Sequence, residues 1–359
     1  AIVDIFFLSK IGVNAIAVVG LTESVLTITY SLGWGLAMGT TAMIARRVGE
    51  GDNDGASVSA VQSIYLALII SVPIMICGIF FSEDLLRLMG ATNEVISEGS
   101  GYTRLTLGFN LIVILLFLIN GIFRGAGDAA LAMRSLWIAN SINIVLDPML
   151  IFGIGPFPEL GIEGAAVATI IGRSFGIIYQ LYHLGKGKGL IKIHKDNWHF
   201  KPIIIWKLVK LSSGVTAQFI ISSASWIFLM RIISTFGSTA LAGYTIAIRI
   251  VIFTLLPAWG FSNAAATMVG QNLGANQPER AEKAVWRTGM FNMFFMGLVM
   301  IIFFLFGDGI ASFFTEEKEV VDNAAKCLSI FALGYLFYAF GMVLVQSFNG
   351  AGDTKTPTI

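Results

Sequence analysis

The sequence predicts an all-α integral membrane protein laid out as two parallel six-helix repeats, twelve helices in all, of which about ten spans are present. Three observations lead there. Of 359 residues, 56% are hydrophobic and only 13% charged. Ordinary globular chains carry roughly 25% charged residues, so there is too little polar surface here to clothe folded domains in water. Apolar runs of about 20 residues, enough to cross a ~30 Å hydrocarbon core as a helix, recur along the chain. Shifted by 225 positions, the sequence also meets itself without a gap.

Read in order between glycines, prolines and charge clusters, the chain opens on a partial span at 1–9. Segments come next near 15–45, 58–81, 102–123, 133–153 and 162–184. A basic connector, 185–202, separates these from segments near 203–233, 239–269, 284–307 and 325–349. The division is therefore an N-terminal lobe at 1–184, the connector at 185–202, and a C-terminal lobe at 203–359. Connectors after the even-numbered segments hold 15 of the 23 basic residues, among them Arg46, Arg47, Arg124, Lys192, Lys195, Lys201, Arg280 and Lys283. By the positive-inside rule these face the cytoplasm, and the N-terminus with them.

The repeat fixes the architecture. Gly12, Ala15 and Ala17 land on Gly237, Ala240 and Ala242, and Trp34-Gly35 lands on Trp259-Gly260. The run from Phe123 to Asp128 meets that from Phe348 to Asp353, differing only at Arg124 against Asn349. The shift moves each segment six spans along, so both copies share one orientation. Parallel repeats of this kind are a transporter layout, with substrate sites near the bilayer midplane. The same arithmetic carries 134–200 onto 359–425, so the sequence reads as lacking its last two spans and most of its first.

A charge within the hydrocarbon costs about 2.5–3.5 kcal/mol or more, so each needs a reason. Asp4, Glu23, Arg104, Asp147, Arg173, Arg231 and Arg249 are the candidates. Arg104 and Arg231 lie near segment ends and are expected to snorkel. Asn140, Asn143 and Asp147 recur at i, i+3 and i+7, which places them on one helical face. An amide one turn from a carboxylate in lipid suits either a sodium ion or a proton, since a carboxylate taken out of water binds a proton more readily. The competing reading is a polar stripe joining two helices. Asp4, in the first segment, supplies a second acid in the same half, and the second half has no counterpart.

Other signals carry less. The GAGD runs at 125–128 and 350–353 come after helices and lack the ending of a phosphate loop, so each reads as a glycine turn whose Asp caps the next helix. His183, His194 and His199 lack metal-ligand spacing, and Cys77 and Cys327 sit in apolar runs. A formal net charge of +1 gives no basic footprint for nucleic acid.

These motifs, VDIFFLSKIG (3–12), MIARRVGEGD (43–52), FRGAGD (123–128), NIVLDPMLIFGIG with GIEGAAVATIIGR (143–173), ALAGYTIAIRI (240–250), MVGQNLGANQPERA (268–281) and NGAGDTKTP (349–357), resemble the multidrug and toxic compound extrusion (MATE) family of cation-coupled efflux transporters. The resemblance spans essentially the whole chain. It implies two six-helix lobes forming a V, alternating access, and export driven by Na+ or H+ without any other cofactor. Carried over by position, the cation site comprises Asp4, Asn143 and Asp147, completed by Thr169, with Asp4, Asn143 and Asp147 as the ligands of a sodium ion. Ser222 stands where some members carry an acid, which points to the DinF-like branch. Glu23 departs from a position that is usually neutral in the family.

The substrate cavity implied by the resemblance draws on Gln218, Ser222, Trp226 and Tyr244. Aromatic faces attract cations, so the cargo expected is a lipophilic organic cation, with Arg249 able to reverse that sign if it faces the cavity. The expected partners are this small molecule and the lipid bilayer, the expected form a monomer, and the expected place the plasma membrane of a prokaryote. The runner-up is a lipid-linked oligosaccharide flippase of the same superfamily. A membrane-embedded enzyme would need clustered His, Asp or Ser-Lys pairs inside the bilayer, and a passive channel fits acids confined to one lobe poorly.

Overall fold

The computed structural model describes residues 2–186 and 189–358. Twelve α-helices succeed one another, with no strand among the described residues: α1 Ile2–Leu8, α2 Val13–Gly49, α3 Asn53–Phe80, α4 Ser82–Leu88, α5 Asn93–Gly108, α6 Asn110–Gly125, α7 Ala129–Phe152, α8 Gly161–Lys186, α9 Pro202–Ser234, α10 Ser238–Gly274, α11 Pro278–Ser312 and α12 Lys318–Ala351. Counting α5 and α6 as one run, nine stretches among the described residues are long and apolar enough to cross a membrane, in the places the apolar runs predict. The 37 residues of α2 span about 55 Å at 1.5 Å each, well beyond the hydrocarbon thickness. This is a multi-pass membrane protein.

The 225-residue register reappears in the helices themselves. α10 begins and ends 225 positions after α2, and α11 begins 225 positions after α3. The GAGD turns behave as read from sequence. Gly127 and Gly352 both adopt a left-handed backbone, with φ of 89° and 87°, which costs glycine little. Asp128 then accepts a hydrogen bond from the Leu131 amide at 3.1 Å and so caps α7. Asp353 accepts from the Lys355 and Thr356 amides and from the Thr356 hydroxyl, the last at 2.6 Å.

One difference separates the copies. α12 is continuous, whereas its first-half counterpart breaks at Phe109 into α5 and α6. There the Asn110 side chain donates to the carbonyls of Leu107 at 2.7 Å and Ser71 at 3.2 Å. A side-chain amide thus takes backbone acceptors at the interruption and ties it to α3.

The chain divides into two compact units, Ala1–Thr216 and Ala217–Ile359. This boundary lies inside α9, further along than the connector at which the sequence divides. The start of α9 belongs with the first unit because small residues let it in. Gly35 and Gly39, four apart on α2, lie against Ser212 and Thr216, four apart on α9. Paired small residues at this spacing allow helix backbones to approach closely in a membrane. Leu208 is fully buried in the same core as Leu36, Ile44, Ile114 and Leu118. The basic connector is also fastened to α3. Gln62 donates to the His199 carbonyl at 2.9 Å and accepts from the Lys201 amide at 2.7 Å, while Tyr65 donates to the Trp198 carbonyl at 2.9 Å. In the second unit, Tyr244, Val251, Met296, Phe303, Leu328 and Tyr335 form the core.

Candidate functional site: a buried carboxylate pair in the first unit

α7 is an apolar helix capped by Asp128 and containing Pro148. It carries Asp147 into the interior, where the residue is 0% exposed. One turn earlier, Asn143 Nδ2 donates to Asp147 Oδ1 at 3.0 Å and to Thr169 Oγ1 of α8 at 3.2 Å. Thr169 Oγ1 donates in turn to Asp4 Oδ2 of α1 at 3.4 Å. Three helices thus bring Asp4, Asn143, Asp147 and Thr169, four positions spread over 165 residues, into one polar chain. Asn140, predicted on the same face, is exposed and stands outside it.

The two carboxylates lie close enough to act on each other electrostatically. Asp147 Oδ2 is sealed from solvent and receives no hydrogen bond. Leaving a buried charged oxygen without a donor costs more than about 1–3 kcal/mol, and two adjacent acids resist ionising together. Both costs fall when a proton or a small hard cation enters between them. The oxygens of two carboxylates, a hydroxyl and an amide form a donor set suited to such a cation. No third His, Cys, Asp or Glu joins them among the described residues.

The remaining charged candidates separate cleanly. Arg104, Arg231 and Arg249 are exposed, while Glu23 and Arg173 are half-buried and line a small cavity together with Asp4.

Of the cavity residues drawn from the second unit, Ser222 and Trp226 line a recess of about 800 Å³, walled also by Phe219, Trp259, Phe331 and Tyr338 and bearing no charged side chain. Gln218 lines it too, but its amide is engaged: Nε2 donates to Asn349 Oδ1 at 3.1 Å and to the Thr354 carbonyl and Thr358 hydroxyl at 3.2 Å. Tyr244 is elsewhere. At 4% exposure it packs in the second unit's core, because position 244 falls on the α10 face turned toward α12. Sequence reasoning also missed a buried network in the first unit. Gln180 donates to Asn120 and to Ser135, each at 2.9 Å. Its members sit one each on α6, α7 and α8, among other polar residues of those helices, with no spacing in the sequence that links them.

The family model named MatE matches residues 1–149 and 215–359. The chain is 26% identical over 353 residues to the "Probable multidrug resistance protein YoeA" of Bacillus subtilis strain 168, covering 97% of this chain and 76% of that protein. It is 27% identical over 329 residues to the "FAD transporter" of Shewanella oneidensis, covering 90% and 71%. A solved structure described as "Crystal structure of MATE in the bent conformation" superposes with a TM-score of 0.92 at 28% identity, covering 99% of this chain and 79% of that one. The motifs, the repeated helices and these matches agree, and the chain belongs to the MatE family, the multidrug and toxic compound extrusion transporters.

Proposed function

We propose that the protein is a cation-coupled antiporter that exports lipophilic organic compounds, organic cations above all, by alternating access. The observation that carries this reading is the polar chain from Asp147 through Asn143 and Thr169 to Asp4, ending in a buried oxygen without a donor. A proton satisfies that oxygen as the last member of the chain. A sodium ion is accommodated if the Asn143 amide turns, presenting Oδ1 where Nδ2 now stands. In either case the site is electrically strained when empty, which is what coupling to a cation gradient requires. α9 and α10 carry no acidic residue, so coupling resides in the first unit, as in a DinF-like arrangement. The Lys- and Arg-rich connectors and the N-terminus face the cytoplasm of a prokaryotic plasma membrane, and the protein works as a monomer.

The export of drug-like compounds rests on relatives named for multidrug resistance. The aromatic wall beside Ser222 and Trp226 accepts flat ring systems of either charge. Preference for cations follows from Asp4 and Asp147. The relative named an FAD transporter makes an anionic ring system the informative counter-probe. The test is susceptibility profiling of an efflux-deficient host expressing the gene. Protection against cationic dyes and not against anionic compounds is expected. Protection confined to anions overturns the charge assignment.

A further inference from the structure

The connector and the start of α9 build a fixed surface that carries lysines and aromatic rings side by side. Along the connector, Ile191 and Ile193 pack into the first unit's core, while Lys192 between them is exposed. The segment is held at several points. The Lys192 amide donates to the Ser57 hydroxyl at 3.3 Å and the Ile193 amide to the Leu184 carbonyl at 2.9 Å. Gln62 and Tyr65 of α3 secure 198–201 through the bonds described above. The Tyr65 ring also lies 5.8 Å, centroid to centroid, from each of Trp198 and Phe200. Both of those rings are exposed, and Tyr65 keeps them in place.

α9 continues the surface. Leu208 is buried in the same core, with Ile204, Ile205 and Val209 packed against it. Ile203, Trp206, Lys207 and Lys210 stand at i, i+3, i+4 and i+7, which is one helical face. All four are exposed, Ile203 by 74% and Trp206 by 70%. Water suits the indole and the isoleucine poorly, and hydrocarbon suits the ammonium groups poorly. The level of the lipid headgroups satisfies both. Charge then selects the lipid. Between 185 and 210 the sequence holds seven lysines and one acid, Asp196. Lys186, Lys192, Lys195, Lys201, Lys207 and Lys210 are exposed, and among the described residues none of these six enters an ion pair. At the start of α3, Asp52 is taken by Arg47 and the Gly55 amide, which leaves Asp54 as the exposed acid there. The positive-inside rule accounts for lysines in a connector, but it does not require them to share a rigid face with exposed indoles.

We propose that the connector and the start of α9 form a docking surface for anionic phospholipids. Lys201, Lys207 and Lys210 take the headgroup phosphates, and Ile203 and Trp206 lie against the acyl chains, with Trp198 and Phe200 beside them at the headgroup level. The proposal needs only that the chain spans a bilayer. Its failure leaves the cation-coupled reading intact.

The test uses the full chain in vesicles of phosphatidylcholine with a rising fraction of phosphatidylglycerol. Bromine is carried on the acyl chains of one lipid or the other, and quenching of tryptophan fluorescence reports which lipid touches the indoles. A lysine near an anionic surface contributes about 1 kcal/mol, or about fivefold at ~1.4 kcal/mol per decade. Wild type should therefore favour phosphatidylglycerol by at least about fivefold at low salt. The preference should vanish in about 1 M NaCl, where the screening length is about 3 Å. Lys201→Gln, Lys207→Gln and Lys210→Gln together should bring the ratio close to one, and arginine at the same three positions should keep it. These side chains are exposed, so neither variant disturbs the core. Trp206→Phe should remove part of the phosphatidylglycerol-dependent quenching. Soluble glycerol phosphate, in excess over lipid, should leave the preference unchanged; competition by it marks a free-anion site and overturns the lipid assignment. No preference in wild type, an equal preference in the glutamine variant, or quenching unchanged in Trp206→Phe overturns the proposal.

Discussion

Replacing Asp147 by asparagine changes one atom of the ion site and removes its titratable charge. The Asn143 amide donates to Asp147 Oδ1 at 3.0 Å, and the side-chain carbonyl of the replacement keeps that bond. A hydrogen bond to a charged acceptor is worth about 1.5–3 kcal/mol and one to a neutral acceptor about 0.5–1.5, a loss of roughly 1 kcal/mol. Relief of the repulsion from Asp4 and of the unsatisfied Oδ2 offsets much of it. Folding should therefore be nearly unaffected, while coupling is lost. Each tenfold step in a cation gradient supplies ~1.4 kcal/mol per coupled ion. A hundredfold gradient, with the membrane potential held at zero, thus sustains up to about a hundredfold accumulation of a monovalent organic cation exchanged one for one. The assay is steady-state accumulation in proteoliposomes under combined H+ and Na+ gradients, alongside thermal melting of the same preparation. Wild type should concentrate the cargo toward that limit, and Asp147→Asn should only equilibrate it at an unchanged melting temperature. Full accumulation by a well-folded Asp147→Asn would refute the placement of coupling at this carboxylate.

Asn143→Leu removes the donor that joins Asp147 to Thr169. It breaks both bonds, the one to the carboxylate alone worth about 1.5–3 kcal/mol, so gradient-driven transport should fall at least about tenfold at ~1.4 kcal/mol per decade, read as initial rate in the same vesicles. Gly121→Ala places a Cβ 2.5 Å from the Ala37 carbonyl oxygen and 3.1 Å from its carbon, both backbone atoms unable to yield. Overpacking of this kind costs about 1–3 kcal/mol, so the melting temperature in detergent should fall by several degrees. Asp353 lies outside the spans, and the hydroxyl and amide of Thr356 hold its carboxyl below the ordinary carboxylate range. A depressed native value stabilises the 353–358 turn above the unfolded pKa of about 3.9, and that stabilisation is lost as pH falls through the native value. Hydrogen exchange at the Thr356 amide should be slow and unchanged from neutral pH down to mildly acid pH, then quicken relative to its intrinsic rate in strong acid.

How legible each feature is in the sequence depends on how it is encoded. Span positions are written as uninterrupted apolar length, and the helices carry them in the order read. The GAGD turns are written as a glycine next to a capping acid, and both appear with left-handed glycines and engaged aspartates. Asn143 and Asp147 are written as i and i+4 on one helix. Their meeting with Asp4 and Thr169 spans 165 residues, and only the resemblance to a family made it an expectation. Tyr244 shows the opposite limit. Its chemistry fits a cargo wall, but which face of α10 turns inward is decided by neighbours such as Asn323 and Ala324 of α12, against which Gly243 packs. The break at Phe109 and the Gln180–Asn120–Ser135 network arise from single polar residues whose partners lie on other helices. No local pattern announces them.

Imposing a pH gradient and a Na+ gradient separately across proteoliposomes that contain the wild-type protein, with tetraphenylphosphonium as cargo, tests cation coupling most directly. Under at least one gradient the cargo should move against its own concentration difference, and an ionophore that collapses that gradient should stop it. Cargo that merely equilibrates under both gradients would contradict a coupling site at Asp4 and Asp147.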